Sequence, residues 1–366
     1  SRGMCHYGDD AGRPERIAQS VLDALSEVFR FDSDEFSITA SIGIARAPEH
    51  GQRPQVLIQN ADAAMYDSKR RARNAWQAFT PELAKTQADR LWMETHLRRA
   101  AENEEFHLVY QPQVDLLRGR VVAAEALIRW QNTQLGEMRP DRFIGHAETT
   151  GDIVRIGGWV LREACRQVAA WRDDGLGVVR VAVNVSYRQF IGDDLAQSVR
   201  RLLDEFGLPG AALELEFTER VLIEDAPDTL RTFAELRELG VILTIDDFGE
   251  GYSALNYLRR LPIHGLKLSQ LFVAGVPDKH SDVALCQAVA GIAKSLDRGM
   301  VAEGVESEAQ RQFLLRLGVP IGQGFLFAPG LKPDEFARRL RQGGLSQGSA
   351  HQGGLGRDNL DHAANA

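Results

Sequence analysis

The chain has 366 residues, 44% hydrophobic and 26% charged, a balance ordinary for a globular protein and a length that allows one large domain plus a smaller piece. A formal charge of -8 gives no general basic footprint and argues against bulk nucleic-acid binding, while no apolar run approaches the roughly 18 residues needed to span a bilayer. Three cysteines, Cys5, Cys165 and Cys286, lie far apart without paired spacing, which argues against a disulfide framework or a thiolate zinc site and suits a reducing compartment.

The chain opens on Ser1 with neither an initiator Met nor a signal-peptide pattern, as a fragment of a longer protein would. A cytoplasmic location with no membrane contact from this segment is expected, and an anchor or sensor lying upstream would be invisible. Residues 14–29 carry helical spacing, 36–46 alternate as a strand, and 55–71 are helical again. That assigns 1–80 to a partial α+β segment, small for an independent core. Residues 81–100 read as a linking helix, since Leu83, Leu91, Met93 and Leu97 fall near helical spacing. At the far end, 343–366 is so rich in Gly, Ser, Gln and Asn that a disordered tail is expected.

Between these ends, 101–342 alternates apolar runs with amphipathic stretches. The strand runs are "HLVYQPQV" at 107, "VVAAEALIRW" at 121, "VVRVAVNV" at 178, "LELEF" at 213, "VILTIDDF" at 241, "GLKLS" at 265, "MVAEGV" at 300 and "GQGFLF" at 322. Helical stretches fall between consecutive members from the second onward. Eight such runs predict a closed α/β barrel. "DLLRGR", between the first two, is too short for a crossover helix, so that pair should be antiparallel and the barrel a modified (β/α)8.

Polar residues in these runs gather at the C-terminal ends. Alternation puts Glu125, Leu127 and Arg129 on one face, Asn184 ends the third run, and Glu216, Asp246, Asp247, Lys267, Glu303 and Gln323 follow in the later ones. In a parallel barrel these groups converge on the mouth where barrel enzymes place their chemistry. Five carboxylates in one pocket need raised pKa values or cations. Hard oxygen ligands without Cys or His select Mg²⁺ or Mn²⁺, and adjacent aspartates could flank two ions about 3.5–4 Å apart, as in-line attack on a phosphodiester requires. Arg129 and Lys267 supply positive charge for an anionic substrate.

"YQPQVDLLRGRVVAAEALIRW", "NVS", "LELEFTER", "DDFGEGYSAL", "LKLS", "AEGVE" and "GQGFLFAPG" stand in the order and approximate spacing of the EAL domain, the cyclic di-GMP phosphodiesterase module of bacteria. The chain resembles that family from Arg90 to Gln342. The resemblance implies hydrolysis of 3′,5′-cyclic di-GMP to linear pGpG in second-messenger signalling, by a TIM-like barrel that forms a homodimer. By position, Glu125, Asn184, Glu216 and Asp246 resemble the ligands of one ion, and Asp246, Asp247 and Glu303 the set around a second. Glu303 also resembles the general base and Lys267 the lysine that contacts attacking water and phosphate. Gln111, Leu127, Arg129, Gln323 and Phe327 look like substrate contacts. Glu219 resembles the glutamate that anchors the loop starting at Phe248, and Glu306 matches the supporting second glutamate of "EGVE".

Three positions depart from the family pattern. Glu250 stands where the family has Thr, Ser269 where it has Asp two residues after the lysine, and Pro320 where it has Asp ahead of the Gln-Gly pair. Loss of an acid near Lys267 suggests a slowed or regulated enzyme. The alternative is a catalytically weak or inactive receptor that relays cyclic di-GMP occupancy to a partner. Upstream, "TASIGIAR" and "NADAAMYDSKRRARN" resemble the C-terminal half of a GGDEF (diguanylate cyclase) domain whose signature loop is absent here, so no cyclase activity is expected.

Overall fold

The structure, a computed structural model, describes residues 12–26, 29–31, 34–36, 38–71, 74–192, 194–222, 227–250 and 258–342. The tail expected at 343–366 lies outside the described residues. The chain divides into two compact units, Ser1–Leu97 and Arg98–Ala366.

In the first unit, helix Arg13–Ser26 buries Ala18 and Leu22, four residues apart on one face. Strands Ser41–Ile44 and Ala75–Ala78 pair in parallel and are joined through helix Pro54–Arg71. That helix sits so close that a Cβ on Gly43 would lie 1.9 Å from the Ala61 carbonyl oxygen. Ala63, Ala64 and Phe79 form its small core. The single strand expected over 36–46 is divided into Asp34–Phe36, antiparallel to Phe29–Phe31, and Ser41–Ile44. The second parallel strand, "AWQA", is too short to announce itself by alternation. Helix Pro81–Ala100 follows.

The second unit is built on an eight-stranded closed barrel: β1 (Phe106–Asp115), β2 (Val121–Asn132), β3 (Val181–Val185), β4 (Leu213–Thr218), β5 (Ile242–Phe248), β6 (Gly265–Leu268), β7 (Gly299–Ala302) and β8 (Ile321–Gly322). β1 is antiparallel to both its neighbours, β2 and β8, and the ladders from β2 through β8 are parallel. A short strand, Gly136–Met138, extends the β2 edge. The β1–β2 connection holds because Asp115 Oδ1 accepts the backbone N–H groups of Leu117 and Arg118 at 2.9 and 2.8 Å, an Asx turn that reverses the chain without a helix.

Helices Asp152–Trp171, Leu195–Phe206, Pro227–Glu238, His280–Ser295, Glu308–Leu317 and Pro333–Arg341 follow strands β2, β3, β4, β6, β7 and β8. Two of their starts are fixed by sequence: Asp194 accepts the Gln197 N–H, and Ser307 with Gln310 makes a reciprocal capping box. Between barrel and helices lie aromatic clusters, Tyr110 with Trp171 and Phe336, and Phe217 with Phe190 and Phe233. Each such side chain contributes about 1.5–3 kcal/mol by leaving water. The eighth strand is shorter than "GQGFLF" suggests, since the chain leaves the ladder after Gly322 and Gly324 lies against the backbone of Val305.

Candidate active site

The barrel interior is lined by alternate residues, and at the C-terminal rim these are polar. Lys267 on β6 is fully buried and stands at the centre of the group. Its Nζ lies 2.6 Å from Glu303 Oε1, 2.8 Å from Glu216 Oε2, 3.3 Å from Asp246 Oδ1 and 3.6 Å from Glu125 Oε2. Asn184, opposite Glu216 in the β3–β4 register, donates to Glu125 Oε1 at 2.6 Å. Gln323, just past β8, donates to Glu125 Oε2 and, at 3.0 Å, to Gln111 Oε1; Gln111 in turn donates to the Ala328 carbonyl at 3.1 Å. Glu303 continues the β7 ladder by one residue, its N–H donating to the Leu268 carbonyl at 3.0 Å.

Asp246 and Asp247 pose a geometric problem, because neighbours on a regular strand point to opposite faces. The structure resolves it with a bulge. The β5–β6 register advances three residues on β5, from Ile245 to Phe248, against two on β6, from Leu266 to Leu268, and Asp247 takes a left-handed φ of 50°. Both carboxylates are thereby brought to the mouth. Oxygens of Asp246, Asp247 and Glu303 all lie within 4.8 Å of one another. Beyond the bulge, the Gly249 N–H donates to Glu219 Oε2 at 3.4 Å; the loop from Phe248 is described only as far as Glu250.

Five acids around one lysine leave a surplus of negative charge, and its cost is distributed unevenly. Burial pushes Glu216 well above the usual carboxylate range, with Lys267 pulling it back and Glu125 and Asp246 opposing. Burial also raises Glu303, to about 8, and Asp247, to about 6 with help from Asp246 and Glu250. Lys267 goes the other way: burial favours its neutral form, yet Asp246, Glu125, Glu216 and Glu303 together hold it charged, well above the ordinary lysine value. Glu216 Oε1 is buried without a hydrogen-bond partner in the protein. A site of hard oxygen donors, over-supplied with charge and keeping an unpartnered carboxylate oxygen, fits divalent cations of the Mg²⁺ and Mn²⁺ type.

The other residues singled out by the sequence are less centrally placed. Leu127 and Arg129 follow Glu125 on β2 and are half-buried, Arg129 donating to the Ile128 carbonyl at 2.9 Å. Phe327 is half-buried beyond β8. Glu306 is exposed, and its backbone N–H donates to Gln310 Oε1 at 2.7 Å. Two features have no clear signal in the sequence taken locally. Below the mouth, Glu214 accepts from Thr244 at 2.5 Å and lies 3.2 Å from Arg180; strand alternation puts it on the inward face with Glu216, but at the start of its run. Beside the mouth, Ser269 donates to Glu250 Oε1, a contact between segments that no local pattern connects.

The EAL domain family matches residues 94–330, and the diguanylate cyclase GGDEF domain family matches residues 7–75. The cyclic di-GMP phosphodiesterase PdeR of Escherichia coli (strain K12) is 38% identical over 324 residues, 88% of this chain and 49% of that protein. The bifunctional diguanylate cyclase/cyclic di-GMP phosphodiesterase MucR of Pseudomonas aeruginosa is 41% identical over 310 residues, 85% of this chain and 45% of its own length. The chain thus spans just under half of each of these relatives. A solved structure described as the PaMucR phosphodiesterase in complex with c-di-GMP superposes with a TM-score of 0.65 at 41% identity, covering 67% of this chain and 99% of that one. Among the described residues, no helix is long and apolar enough to cross a membrane.

Proposed function

The chain belongs to the EAL-domain family, and from that premise we propose that its barrel hydrolyses 3′,5′-cyclic di-GMP to linear pGpG with two divalent cations, Mg²⁺ or Mn²⁺. The observation that carries the proposal is the convergence of Glu125, Glu216, Asp246, Glu303 and the bulge-turned Asp247 around Lys267. Glu125, Asn184, Glu216 and Asp246 would hold one ion, and Asp246, Asp247 and Glu303 the other. When bound, the cations supply Lewis-acid stabilisation of the charge that develops at the phosphodiester.

The chain's own groups do the rest. Glu303, at the open end of β7, takes the proton of the attacking water. Lys267, held charged by its four acids, donates to a phosphoryl oxygen. Its burial makes that charge stronger than it would be in water. Gln111 and Gln323 are joined to each other and, through Gln323, to Glu125, so substrate contacts and ion ligands share one hydrogen-bonded frame. Leu127 and Phe327 offer apolar surface to the guanine bases and Arg129 positive charge. Glu219 anchors the loop after β5 through Gly249, and Glu306 has a supporting role. Residues 1–80 and the helix over 81–100 are assigned no cyclase reaction. Homodimerisation through the barrel and a cytoplasmic location are carried by family membership alone.

Purified chain incubated with cyclic di-GMP and Mn²⁺ should yield pGpG by chromatography. Glu125→Ala should lower the rate by about 100-fold or more, the scale seen when groups stabilising transition-state charge are removed. Intact dinucleotide after long incubation of the wild type overturns the proposal. A silent receptor would instead bind cyclic di-GMP tightly without divalent metal and without turnover; against that reading stands the retention of all five acids.

A further inference from the structure

We propose that Glu250 and Ser269 form a positioning pair in which carboxylate and hydroxyl have exchanged places relative to the family pattern. Their bond links the segment bearing Asp246 and Asp247 to the segment bearing Lys267. The inference rests on the phosphodiesterase reading for its activity measurement and stands apart from it for its structural one.

Taken singly from the sequence, Glu250 and Ser269 are two defects, a Thr lost from one motif and an Asp lost from another. In space they meet. Ser269, buried at 1% exposure, donates its hydroxyl to Glu250 Oε1. The hydroxyl oxygen of Ser269 in turn accepts the Leu271 N–H at 3.1 Å, capping the turn that follows β6. A hydroxyl has one proton to give. With its oxygen engaged by Leu271, Ser269 is best partnered by an acceptor, and Glu250 supplies one. The family pattern has its hydroxyl at 250 and its carboxylate at 269. Here the ends are reversed, so the rim keeps one carboxylate from this pair.

The location gives the bond its consequence. Glu250 lies three residues after Asp247 and Ser269 two after Lys267. The turn starting at Ser269 also reaches other parts of the rim. A Cβ on Gly249, whose φ is 100°, would come 3.1 Å from the Phe272 ring, and one on Gly304, next to Glu303, would come 2.4 Å from Gln270 Cγ. Residues 269–272 therefore pack against the chain just past β5 and just past β7. A left-handed Asp247 persists only where its surroundings over-determine it. Glu219 through Gly249 is one restraint and Ser269 through Glu250 is the second.

Four proteins test the pair: wild type, Glu250→Thr, Ser269→Asp, and the double variant that restores the family order. Two quantities are read on each: the Mn²⁺ concentration that half-saturates cyclic di-GMP hydrolysis, and amide exchange over residues 241–250 in EDTA without nucleotide. Ser269→Asp alone sets carboxylate against carboxylate, and Glu250→Thr alone removes the charged acceptor. Each should raise the Mn²⁺ requirement by about 10-fold, the lower end for groups supporting metal ligands, and accelerate exchange. The double variant should return both readouts to within about 2-fold of wild type, a departure from additivity that marks direct coupling.

A double variant as impaired as the two single effects combined overturns the pairing. If the wild type itself does not hydrolyse cyclic di-GMP, the functional reading fails while the exchange measurement still decides on the pair. Should Ser269→Asp not fold, Glu250→Gln takes its place: an amide oxygen still accepts the hydroxyl, so exchange near the wild-type rate is expected, and rapid exchange like that of Glu250→Ala overturns the proposal.

Discussion

The barrel interior contains two polar layers, and they are built on opposite principles. At the floor, Glu214 is matched by Arg180 and by the Thr244 hydroxyl, roughly one acid to one base. At the mouth, four acids share Lys267 and a fifth, Asp247, stands beside Asp246 and Glu303. Both layers are reached by the same alternation along the same strands; Glu214 and Glu216 are two residues apart on β4. A balanced layer can be stable in the protein alone, whereas an overcharged one is completed by what binds to it. Barrels of this kind keep stability at the N-terminal face and chemistry at the other, and the charge count says which is which.

The largest effect expected from breaking this contrast is at Lys267. Lys267→Met leaves Glu125, Glu216, Asp246 and Glu303 without their shared counter-ion. Removing one partner of a buried ion pair costs about 3–5 kcal/mol, which urea denaturation in EDTA would measure, and hydrolysis should fall by about 100-fold or more. Unchanged stability would mean that protonation of the acids alone balances the mouth.

Metal titration asks the same question of the intact chain. Because the surplus charge is at the mouth, Mn²⁺ at about 100 times its dissociation constant should stabilise the wild type by about 2.7 kcal/mol. The floor variant Glu214→Gln should show the same increment. Its own loss, about 1–3 kcal/mol for a weakened buried hydrogen bond and ion pair, should appear equally with and without metal, and kcat/KM should change little. A floor substitution that abolished the metal increment would erase the distinction between the layers.

How far this division is legible in the sequence depends on what fixes each residue. Glu125, Asn184, Glu216, Asp246, Lys267 and Glu303 can be gathered from the sequence because each falls toward the end of an apolar run, and parallel strands carry their C-terminal ends to one rim. Glu214 obeys the same alternation but stands at the start of its run, where nothing marks it as part of a layer. Asp247 is different in kind. Alternation alone sends it to the wrong face, and the bulge that recovers it is a property of the β5–β6 ladder. The Glu250–Ser269 bond likewise joins segments 19 residues apart in sequence, a relation that exists only once both strands are in place. The strand at Ala75–Ala78 is hidden by brevity, and the expected continuation of β8 fails where Gly324 closes on Val305.

The smallest predicted effect sharpens the floor. His264 accepts the Leu243 N–H on Nδ1 at 3.0 Å, a bond that only an unprotonated Nδ1 can make. Its pKa is lowered, first by burial and then by Arg237, Arg298 and Arg180, with Glu214 opposing. A base whose folded pKa lies below its unfolded value favours folding when neutral. Its contribution is present above the unfolded value, about 6.5, and is lost as pH falls through the folded one. Over pH 8 to 5 the raised carboxyls of Glu303 and Asp247 work the other way, adding stability as they take up protons. The His264 contribution is therefore read by urea as a difference: the stability of wild type minus that of His264→Asn should shrink as pH falls. A difference that stays constant from pH 8 to 5 would leave the floor without a titrating member.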